Sequence, residues 1–169
     1  MAAEWGEMSG EVRVGLGFDI HPLVEGRPLR LGGVTIPFER GLAGHSDGDA
    51  LLHALTDALL GGACLGDIGT LFPDTAPELE GADSRTLLRE AYARVRERGF
   101  RVAFVDAVVI AEAPRIGPHR EAMVAQIREA LGEPDLAISI KGKRAEGLGD
   151  IGQRRAIACL VTATLRRVG

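Results

Sequence analysis

Two short clusters of Asp and His residues have the types and spacing of metal ligands. Asp19 and His21 are two residues apart, so in an extended segment both side chains point to the same side and can converge on one ion. Asp49, His53 and Asp57 follow one another at intervals of four, which places them on one stripe of a helix. The alternatives are a polar turn after a strand for the first cluster and a solvated helix face for the second.

Taken together, the two clusters predict a zinc site. Asp19, His21 and His53 would fill three positions of a tetrahedral Zn²⁺ and leave the fourth to a substrate oxygen. His45 and Ser46 stand directly before the helix of His53, where unpaired backbone N–H groups favour a phosphate. Ser46 also suits the role of a helix cap. The pattern therefore predicts metal-assisted chemistry on a phosphorylated substrate.

Two later segments carry further polar groups. Asp67 and Asp74 lie in a stretch rich in glycine and proline that can wrap a polar ligand, although each aspartate also suits an ordinary turn. Residues 141–146, KGKRAE, offer cations for phosphate groups and one carboxylate for a hard cation such as Mg²⁺. The alternative for this segment is a solvated cluster of charges.

Hydrophobic periodicity indicates the elements that must position these residues. Alternation from residue 12 to residue 18 predicts a strand that ends at Asp19. Gly32-Gly33, between two apolar runs, predicts a hairpin. Ser46 and Asp49 form an S-x-x-D capping pattern for a helix that stops at Gly61-Gly62. The other predicted elements are helices opened by Asp83 or Ser84 and by Pro118, and strands at 102–110, 137–143 and 157–165.

This order of elements predicts an α+β fold with a mixed four-stranded sheet that helices cover on one face. The other face of an apolar sheet needs a partner, and self-association supplies one, so we expect a homo-oligomer. Residues 1–11 are acidic and are expected to form a flexible N-terminal extension, while residues 12–169 are expected to form a single domain.

Composition and charge argue against several classes of protein. A net charge of -4 argues against a nucleic-acid-binding face. The most apolar window, residues 50–65, contains His53 and Asp57, so no membrane contact is expected. Cys64 and Cys159 are far apart, and we expect reduced core thiols. The N-terminal residues do not resemble a secretion signal, and we expect a bacterial, cytoplasmic enzyme.

Five segments resemble the family of 2-C-methyl-D-erythritol 2,4-cyclodiphosphate synthases of the non-mevalonate isoprenoid pathway. They are GFDIH at 17–21, AGHSDGD at 43–49, HALTDALL at 53–60, GDIG at 66–69 and LFPDT at 71–75. Their occurrence in this order is far more specific than any one motif. The resemblance extends from about residue 12 to about residue 165 and so covers nearly the whole chain.

The resemblance implies an activity and an assembly. The activity is that of a phosphorus–oxygen lyase, which converts 4-diphosphocytidyl-2-C-methyl-D-erythritol 2-phosphate into the 2,4-cyclodiphosphate and releases CMP. The assembly is a homotrimer whose sheets pack around a threefold axis, with active sites between subunits. Zinc would be held by Asp19, His21 and His53, and Mg²⁺ or Mn²⁺ by Glu146. In relatives, a cavity on the axis can hold an isoprenoid diphosphate, and near that cavity, at residues 153–155, this chain departs from the family pattern.

The same resemblance assigns roles along the chain. His45 and Ser46 would hold phosphate, Asp67 the methylerythritol hydroxyls, and residues 111–117 the cytidine of a neighbouring subunit's site. The chain departs from the common family pattern at 141–146, where hydroxyl-bearing residues often precede the glutamate, and we predict that Lys143 or Arg144 replaces them. The predicted substrate contacts are Asp19, His21, His45, Ser46, Asp67, Ile68, Gly69, Phe72, Asp74, Ala111, Pro114, Arg115, Ile116, Gly117, Lys143 and Arg144, and the predicted catalytic residues are His45, Lys143, Arg144 and Glu146.

Two rival functions stay open on the sequence. One is a zinc phosphodiesterase, in which water attacks the phosphate and the products are linear. The other is a trimer that binds a prenyl diphosphate without catalysis, which predicts ligand binding without release of CMP.

Overall fold

The computed structural model of the chain describes residues 10–73 and 75–168. Asp74, one of the predicted substrate contacts, and residues 1–9 of the predicted extension lie outside the described residues. The strands are β1 (Val12–Val24), β2 (Leu29–Leu31), β3 (Val34–Ile36), β4 (Gly41–Leu42), β5 (Phe100–Ile110), β6 (Ala137–Lys143) and β7 (Ala156–Arg167). The helices are α1 (Ala50–Gly62), α2 (Ile68–Leu71), α3 (Ser84–Glu97), α4 (Arg120–Leu131) and α5 (Gly149–Gly152), with 3₁₀ turns at Pro77–Leu79 and Gly117–His119.

The main sheet is mixed and has the strand order β4-β1-β7-β5-β6. The pairs β1–β4, β1–β7 and β5–β7 are antiparallel, whereas β5 and β6 are parallel. The four long strands are those of the predicted four-stranded sheet, and the two-residue β4 extends it at one edge. The predicted hairpin is also present as β2 and β3, and its turn uses positive φ angles of 61° and 76° at Gly32 and Gly33.

Helices cover one face of the sheet, as predicted. Helix α1 packs on β1 and β7, and α3 packs between α1 and α4. The opposite face of β1 presents a row of large apolar side chains that are between 45% and 67% exposed in the described chain: Val12, Val14, Leu16, Phe18 and Ile20. A continuous row of this kind is typical of an interaction surface. Among the described helices, none combines the length and the apolar character that crossing a membrane requires.

Two glycines of β1 set how closely α1 lies on the sheet. A Cβ atom at Gly17 would be 1.8 Å from the carbonyl oxygen of Ala54, and one at Gly15 would be 1.8 Å from that of Ala58. Only residues without a side chain allow this backbone-to-backbone approach. Because Gly15 and Gly17 share a face of β1 with Asp19 and His21, the same contact brings the first turns of α1 over those two side chains.

The start of α1 differs from the prediction. Asp49 is the N-cap, and its Oδ1 accepts a hydrogen bond from the backbone N–H of Leu52 at 3.0 Å. The two carboxylate oxygens also accept N–H donors from Gly32 at 2.8 Å and from Gly33 at 2.7 Å, which ties the hairpin to the helix. The predicted capping pattern that starts at Ser46 is therefore wrong, because a buried carboxylate three residues later satisfies more backbone donors.

Strand β1 is longer than predicted. Its pairing with β7 continues past Asp19, which lies opposite Cys159, and His21, which lies opposite Ile157. The two candidate ligands therefore lie inside a strand and do not leave its end. Pairing with β7 extends the strand to Pro22, beyond the alternating residues from which its end was predicted.

Smaller differences concern the cysteines and the third helix. Cys159 is buried, and burial raises the pKa of its thiol, whereas Cys64 is exposed, so the prediction of a core thiol is wrong for Cys64. Pro118 was predicted to open the third helix, but it is the middle residue of the 3₁₀ turn Gly117–His119, and α4 begins at Arg120.

Candidate active site

Three side chains from β1 and α1 meet at one point. The Oδ2 atom of Asp19 lies 2.8 Å from Nε2 of His21 and 3.0 Å from Nδ1 of His53, and these two ring nitrogens are 3.2 Å apart. Asp19 and His21 point to the same face of β1. His53 comes from the first turn of α1, which the close contact at the two glycines holds against that face. The predicted convergence of these residues is confirmed.

The triangle suits a small divalent cation. Ligands bound at the Zn–N and Zn–O distances found in proteins are about 3.3 Å from one another in a tetrahedron, which is close to the three separations here. Within the described residues, this is the group of His, Cys, Asp and Glu side chains whose ligand atoms converge in this way. One carboxylate with two imidazoles leaves a fourth position for a substrate oxygen.

The protonation of the group reflects its burial and its mutual contacts. Burial opposes ionisation of Asp19, but hydrogen bonds and charge interactions with His21 and His53 outweigh it, so the pKa of Asp19 is well below its usual value. Burial also opposes the charged form of His53, but the hydrogen bond to Asp19 and the charge of that carboxylate raise the pKa of His53. A bound cation would replace the proton that these groups share.

The cluster opens into a cleft of about 520 Å³, which we call the metal cleft. Its wall unites the residues predicted to bind zinc and phosphate with several other predicted substrate contacts. The lining residues are Asp19, His21, Gly44, His45, Ser46, His53, Asp57, Ile68, Gly69, Phe72, Pro73, Leu79 and Leu87. Segments that are more than fifty residues apart in the sequence therefore share one concave surface.

The loop that borders the metal cleft is held by two aspartates. Asp57 of α1 accepts a hydrogen bond from the backbone N–H of Ile68 at 2.7 Å, and burial raises the pKa of Asp57. Asp67 is the N-cap of α2 and accepts both the N–H and the hydroxyl of Thr70 at 2.7 Å. Asp67 is exposed and does not line the metal cleft in the single chain, so its predicted contact to substrate stays a prediction.

A second cleft, of about 670 Å³, contains the residues predicted for cytidine binding. We call it the cationic cleft, since five cations and one carboxylate line it. Its residues are Ala111, Glu112, Ala113, Pro114, Arg115, Ile116, Gly117, Pro118, Arg120, Gly142, Lys143, Arg144 and Arg154. The metal cleft and the cationic cleft share no lining residue, so one chain carries the predicted site in two separate parts.

The segment 143–146 contains two cations, and only one of them is paired with a carboxylate of the described residues. Arg144 forms an ion pair with Glu112, and a second oxygen of Glu112 accepts the backbone N–H of Ala145 at 3.2 Å. The guanidinium of Arg144 is thus already paired, which leaves Lys143 as the cation of this segment for an anionic ligand. Glu146 is exposed and has a φ of 52°, and it lines neither cleft in the single chain.

Two residues linked to His53 by hydrogen bonds were not among the predicted site residues. The Oγ of Ser84 lies 2.9 Å from Nε2 of His53 and 2.5 Å from Oδ1 of Asp47. In the sequence, Ser84 is visible only as a candidate helix cap, and Asp47 only as part of a motif. No local signal joins residue 84 to residue 53, because α1 and the start of α3 become neighbours only through packing.

Comparison with known proteins identifies the family. A family model described as the YgbB family matches residues 12–166. The 2-C-methyl-D-erythritol 2,4-cyclodiphosphate synthase of Aromatoleum aromaticum is 61% identical over 162 residues, which cover 96% of this chain and 98% of that protein.

Solved structures also superpose on this chain. A bifunctional protein from Campylobacter jejuni, IspDF, superposes with a TM-score of 0.91 at 43% identity; the match covers 95% of this chain and 43% of that larger chain. A 2C-methyl-D-erythritol-2,4-cyclodiphosphate synthase with bound CDP superposes with a TM-score of 0.82 at 42% identity, covering 90% of this chain and 99% of the other. The chain therefore belongs to the YgbB family, together with these 2-C-methyl-D-erythritol 2,4-cyclodiphosphate synthases.

Proposed function

We propose that the chain converts 4-diphosphocytidyl-2-C-methyl-D-erythritol 2-phosphate into 2-C-methyl-D-erythritol 2,4-cyclodiphosphate and CMP, in isoprenoid precursor synthesis. The observation that carries this proposal is the convergence of Asp19, His21 and His53 at the edge of a concave surface in a member of this family. The activity is that of a phosphorus–oxygen lyase. A cytoplasmic location belongs to the same proposal, supported by the free thiols of Cys64 and Cys159.

Two divalent ions are part of the proposal. Zn²⁺ suits Asp19, His21 and His53, because two imidazoles and one carboxylate in this triangle are typical of catalytic zinc. Mg²⁺ or Mn²⁺ suits Glu146, since a hard cation prefers carboxylate and phosphate oxygens. When bound, the two ions would neutralise phosphate charge.

The side chains of the two clefts have complementary tasks. In the metal cleft, His45 and Ser46 hold a phosphate group, and the loop of Asp67 holds the methylerythritol. In the cationic cleft, residues 111–117 enclose the cytidine, and Lys143 faces the phosphates. The five cations that line this cleft support binding of an anionic nucleotide. The remaining proposed substrate contacts are Ile68, Gly69, Phe72, Asp74, Arg115 and Arg144.

The reaction needs positioning more than it needs a protein nucleophile. An oxygen of the 2-phosphate attacks the β-phosphorus, the bond to the cytidylate oxygen breaks, and CMP leaves as the ring closes. Because nucleophile and electrophile belong to one folded substrate, holding its two ends in the two clefts turns the attack into an intramolecular step with a high effective concentration. Charge neutralisation at the phosphates supplies the rest.

The proposed assembly is a homotrimer with its sheets around a threefold axis. The row of exposed apolar residues on β1 supports it, as does the division of the site between two clefts that share no residue. In such an assembly, the metal cleft of one subunit faces the cationic cleft of the next. An isoprenoid diphosphate near the axis is a further part of the proposal and rests on the family resemblance near residues 153–155, where Arg155 is paired with Asp150 and Arg154 lines the cationic cleft.

Release of CMP from the diphosphocytidyl substrate tests the proposed function. We expect the purified protein to form CMP and a cyclic diphosphate, to lose this activity after chelation of divalent ions, and to regain it when Zn²⁺ and Mg²⁺ are returned. Linear phosphate products would replace the proposal with hydrolysis. Substrate binding without any CMP would contradict catalysis altogether.

Mixed oligomers test whether two subunits build one site. His53→Ala inactivates the metal cleft and Lys143→Ala weakens the cationic cleft, so each variant alone should lose most activity. In a mixed trimer, an unaltered metal cleft meets an unaltered cationic cleft at one interface, and we expect activity to reappear. The measurement is CMP release after co-expression, compared with the two variants mixed as preformed oligomers. Activity that stays at the level of the separate variants would place both clefts of a site in one chain.

A further inference from the structure

The imidazole of His53 has one nitrogen in the metal cluster and the other between two serines. Its Nδ1 faces Asp19 and His21, while its Nε2 lies 3.0 Å from Oγ of Ser46 and 2.9 Å from Oγ of Ser84. The side chains of His53, Ser46 and Ser84 are all buried. By distance alone, the two hydroxyls are equivalent, but their other neighbours are not.

The hydroxyl hydrogen of Ser84 is donated to Asp47 and not to His53. Its Oγ lies 2.5 Å from Oδ1 of Asp47, and a carboxylate can only accept, so the hydroxyl donates to Asp47. Asp47 is fixed in turn, because its Oδ2 accepts the backbone N–H of Ser84 at 3.2 Å and its own N–H donates to the carbonyl of Ala82 at 3.1 Å. A hydroxyl has one hydrogen to give, so towards His53 the oxygen of Ser84 acts as an acceptor.

This arrangement determines where the imidazole keeps its proton. An acceptor at Nε2 requires that Nε2 carries hydrogen, and a neutral imidazole with hydrogen on Nε2 has its lone pair on Nδ1. Nδ1 is the atom that points at Asp19 and His21. With the proton on Nδ1 instead, the ring would donate to the carboxylate of Asp19 and could not bind a cation.

We propose that Asp47 and Ser84 are positioning residues, which hold the proton of His53 on Nε2 and so keep Nδ1 available as a ligand for a divalent metal ion. The inference rests on the metal site of the proposed function and deepens it, since neither residue belongs to the predicted site. Partners of this kind typically account for about 10- to 100-fold in metal affinity.

The same reasoning gives the hydroxyl of Ser46 a different role. Since Nε2 already carries hydrogen, the oxygen of Ser46 can only accept from it, and the backbone N–H of Gly48 points at the same oxygen from 3.5 Å. The hydroxyl hydrogen of Ser46 is therefore free for another acceptor. Ser46 lines the metal cleft, so that acceptor is an oxygen of an anionic ligand. Ser84 thus positions a metal ligand, whereas Ser46 can donate a hydrogen bond to the substrate.

The two serines form a matched pair for the test. Ser84→Ala and Ser46→Ala each remove one hydroxyl at about 3 Å from the same nitrogen, and alanine is compatible with both backbone positions. We expect Ser84→Ala to weaken Zn²⁺ binding to the metal-free protein by about 10- to 100-fold. We expect Ser46→Ala to keep Zn²⁺ affinity within about threefold of the unaltered chain and to raise KM in the CMP assay. Competition with a chromophoric chelator measures the affinity without substrate.

A spectroscopic measurement separates positioning from a general loss of structure. In metal-free protein, ¹⁵N shifts should show that Nε2 of His53 carries hydrogen in the unaltered chain and in Ser46→Ala, while Nδ1 faces Asp19. In Ser84→Ala, a population of His53 without hydrogen on Nε2 is expected, with the other resonances of the folded protein retained.

Three results would overturn the inference: equal Zn²⁺ affinity in the two variants, a larger loss in Ser46→Ala, or an unaltered chain that binds no Zn²⁺. The proposed catalytic function fails on a separate readout. A chain that shows the expected order of Zn²⁺ affinities but releases no CMP would retain the inference and lose the synthase reaction.

Discussion

Gly17→Ala is expected to destabilise the protein by about 3 kcal/mol, at the upper end of the range for overpacked sites. The added Cβ would lie 1.8 Å from the carbonyl oxygen of Ala54 and 2.8 Å from the backbone N of Ala58. Both atoms belong to the backbone of α1, so no side-chain rotation can make room. The helix must move away from β1, and His53 moves with it.

Thermal unfolding and Zn²⁺ titration measure the two consequences. For a chain of this size, a loss of about 3 kcal/mol lowers Tm by about 6–12 °C. Zn²⁺ affinity should fall in parallel, because the imidazole of His53 leaves the triangle. Gly61→Ala is the matched control. Gly61 belongs to α1, the helix that Gly17 contacts; a Cβ at Gly61 would meet nothing within 4 Å, and alanine favours a helix by up to about 1 kcal/mol over glycine. Equal Tm values for the two variants would show that the close contact does not limit the helix position.

Asp19→Asn is expected to reduce Zn²⁺ affinity by more than about 100-fold, beyond what outer partners of a metal usually contribute. Asp19 supplies the anionic atom of the cluster, at 2.8 Å from His21 and 3.0 Å from His53. The amide keeps the shape of the side chain but removes its charge. Release of CMP should fall by at least about 100-fold, as when a group that stabilises charge at a reacting centre is removed.

The control for Asp19→Asn is Asp135→Asn, which makes the same chemical change at an exposed position between α4 and β6. It should leave Zn²⁺ affinity and CMP release unaltered. Affinity is measured on metal-free protein by chelator competition, and activity by the rate of CMP formation at saturating substrate. If Asp19→Asn binds Zn²⁺ as tightly as the unaltered chain, the carboxylate is not a ligand and the geometry of the cluster has another cause.

Much of the fold follows from local patterns in the chain. The hairpin around Gly32-Gly33 was predictable because paired glycines accept the positive φ angles that a two-residue turn needs. Strand β6 was predicted with its observed bounds, since residues 137–143 are flanked by a helix stop and a polar segment. The N-cap of α3 at Asp83 was one of the two predicted candidates. Each of these features depends on residues that are close together in the sequence.

The errors lie where distant segments compete with local preference. Strand β1 continues past Asp19 because β7 offers backbone partners as far as Ala156. Helix α1 begins after Asp49 and not after Ser46, because Asp49 also satisfies the N–H groups of the hairpin. Arg144 is paired with Glu112, a residue thirty-two positions away. None of these partners can be read from the neighbouring sequence.

The sequence by itself determined which chemical groups the protein has and which of them share a face. A spacing of two along a strand and of four along a helix is enough to align Asp19 with His21 and to place His53 on a helix. Only the tertiary structure decided that these groups meet at about 3 Å, that Ser84 and Asp47 stand behind His53, and that the two clefts remain apart in one chain. The physical reason is that distances across elements depend on packing, here on two glycines that allow α1 to lie directly on β1.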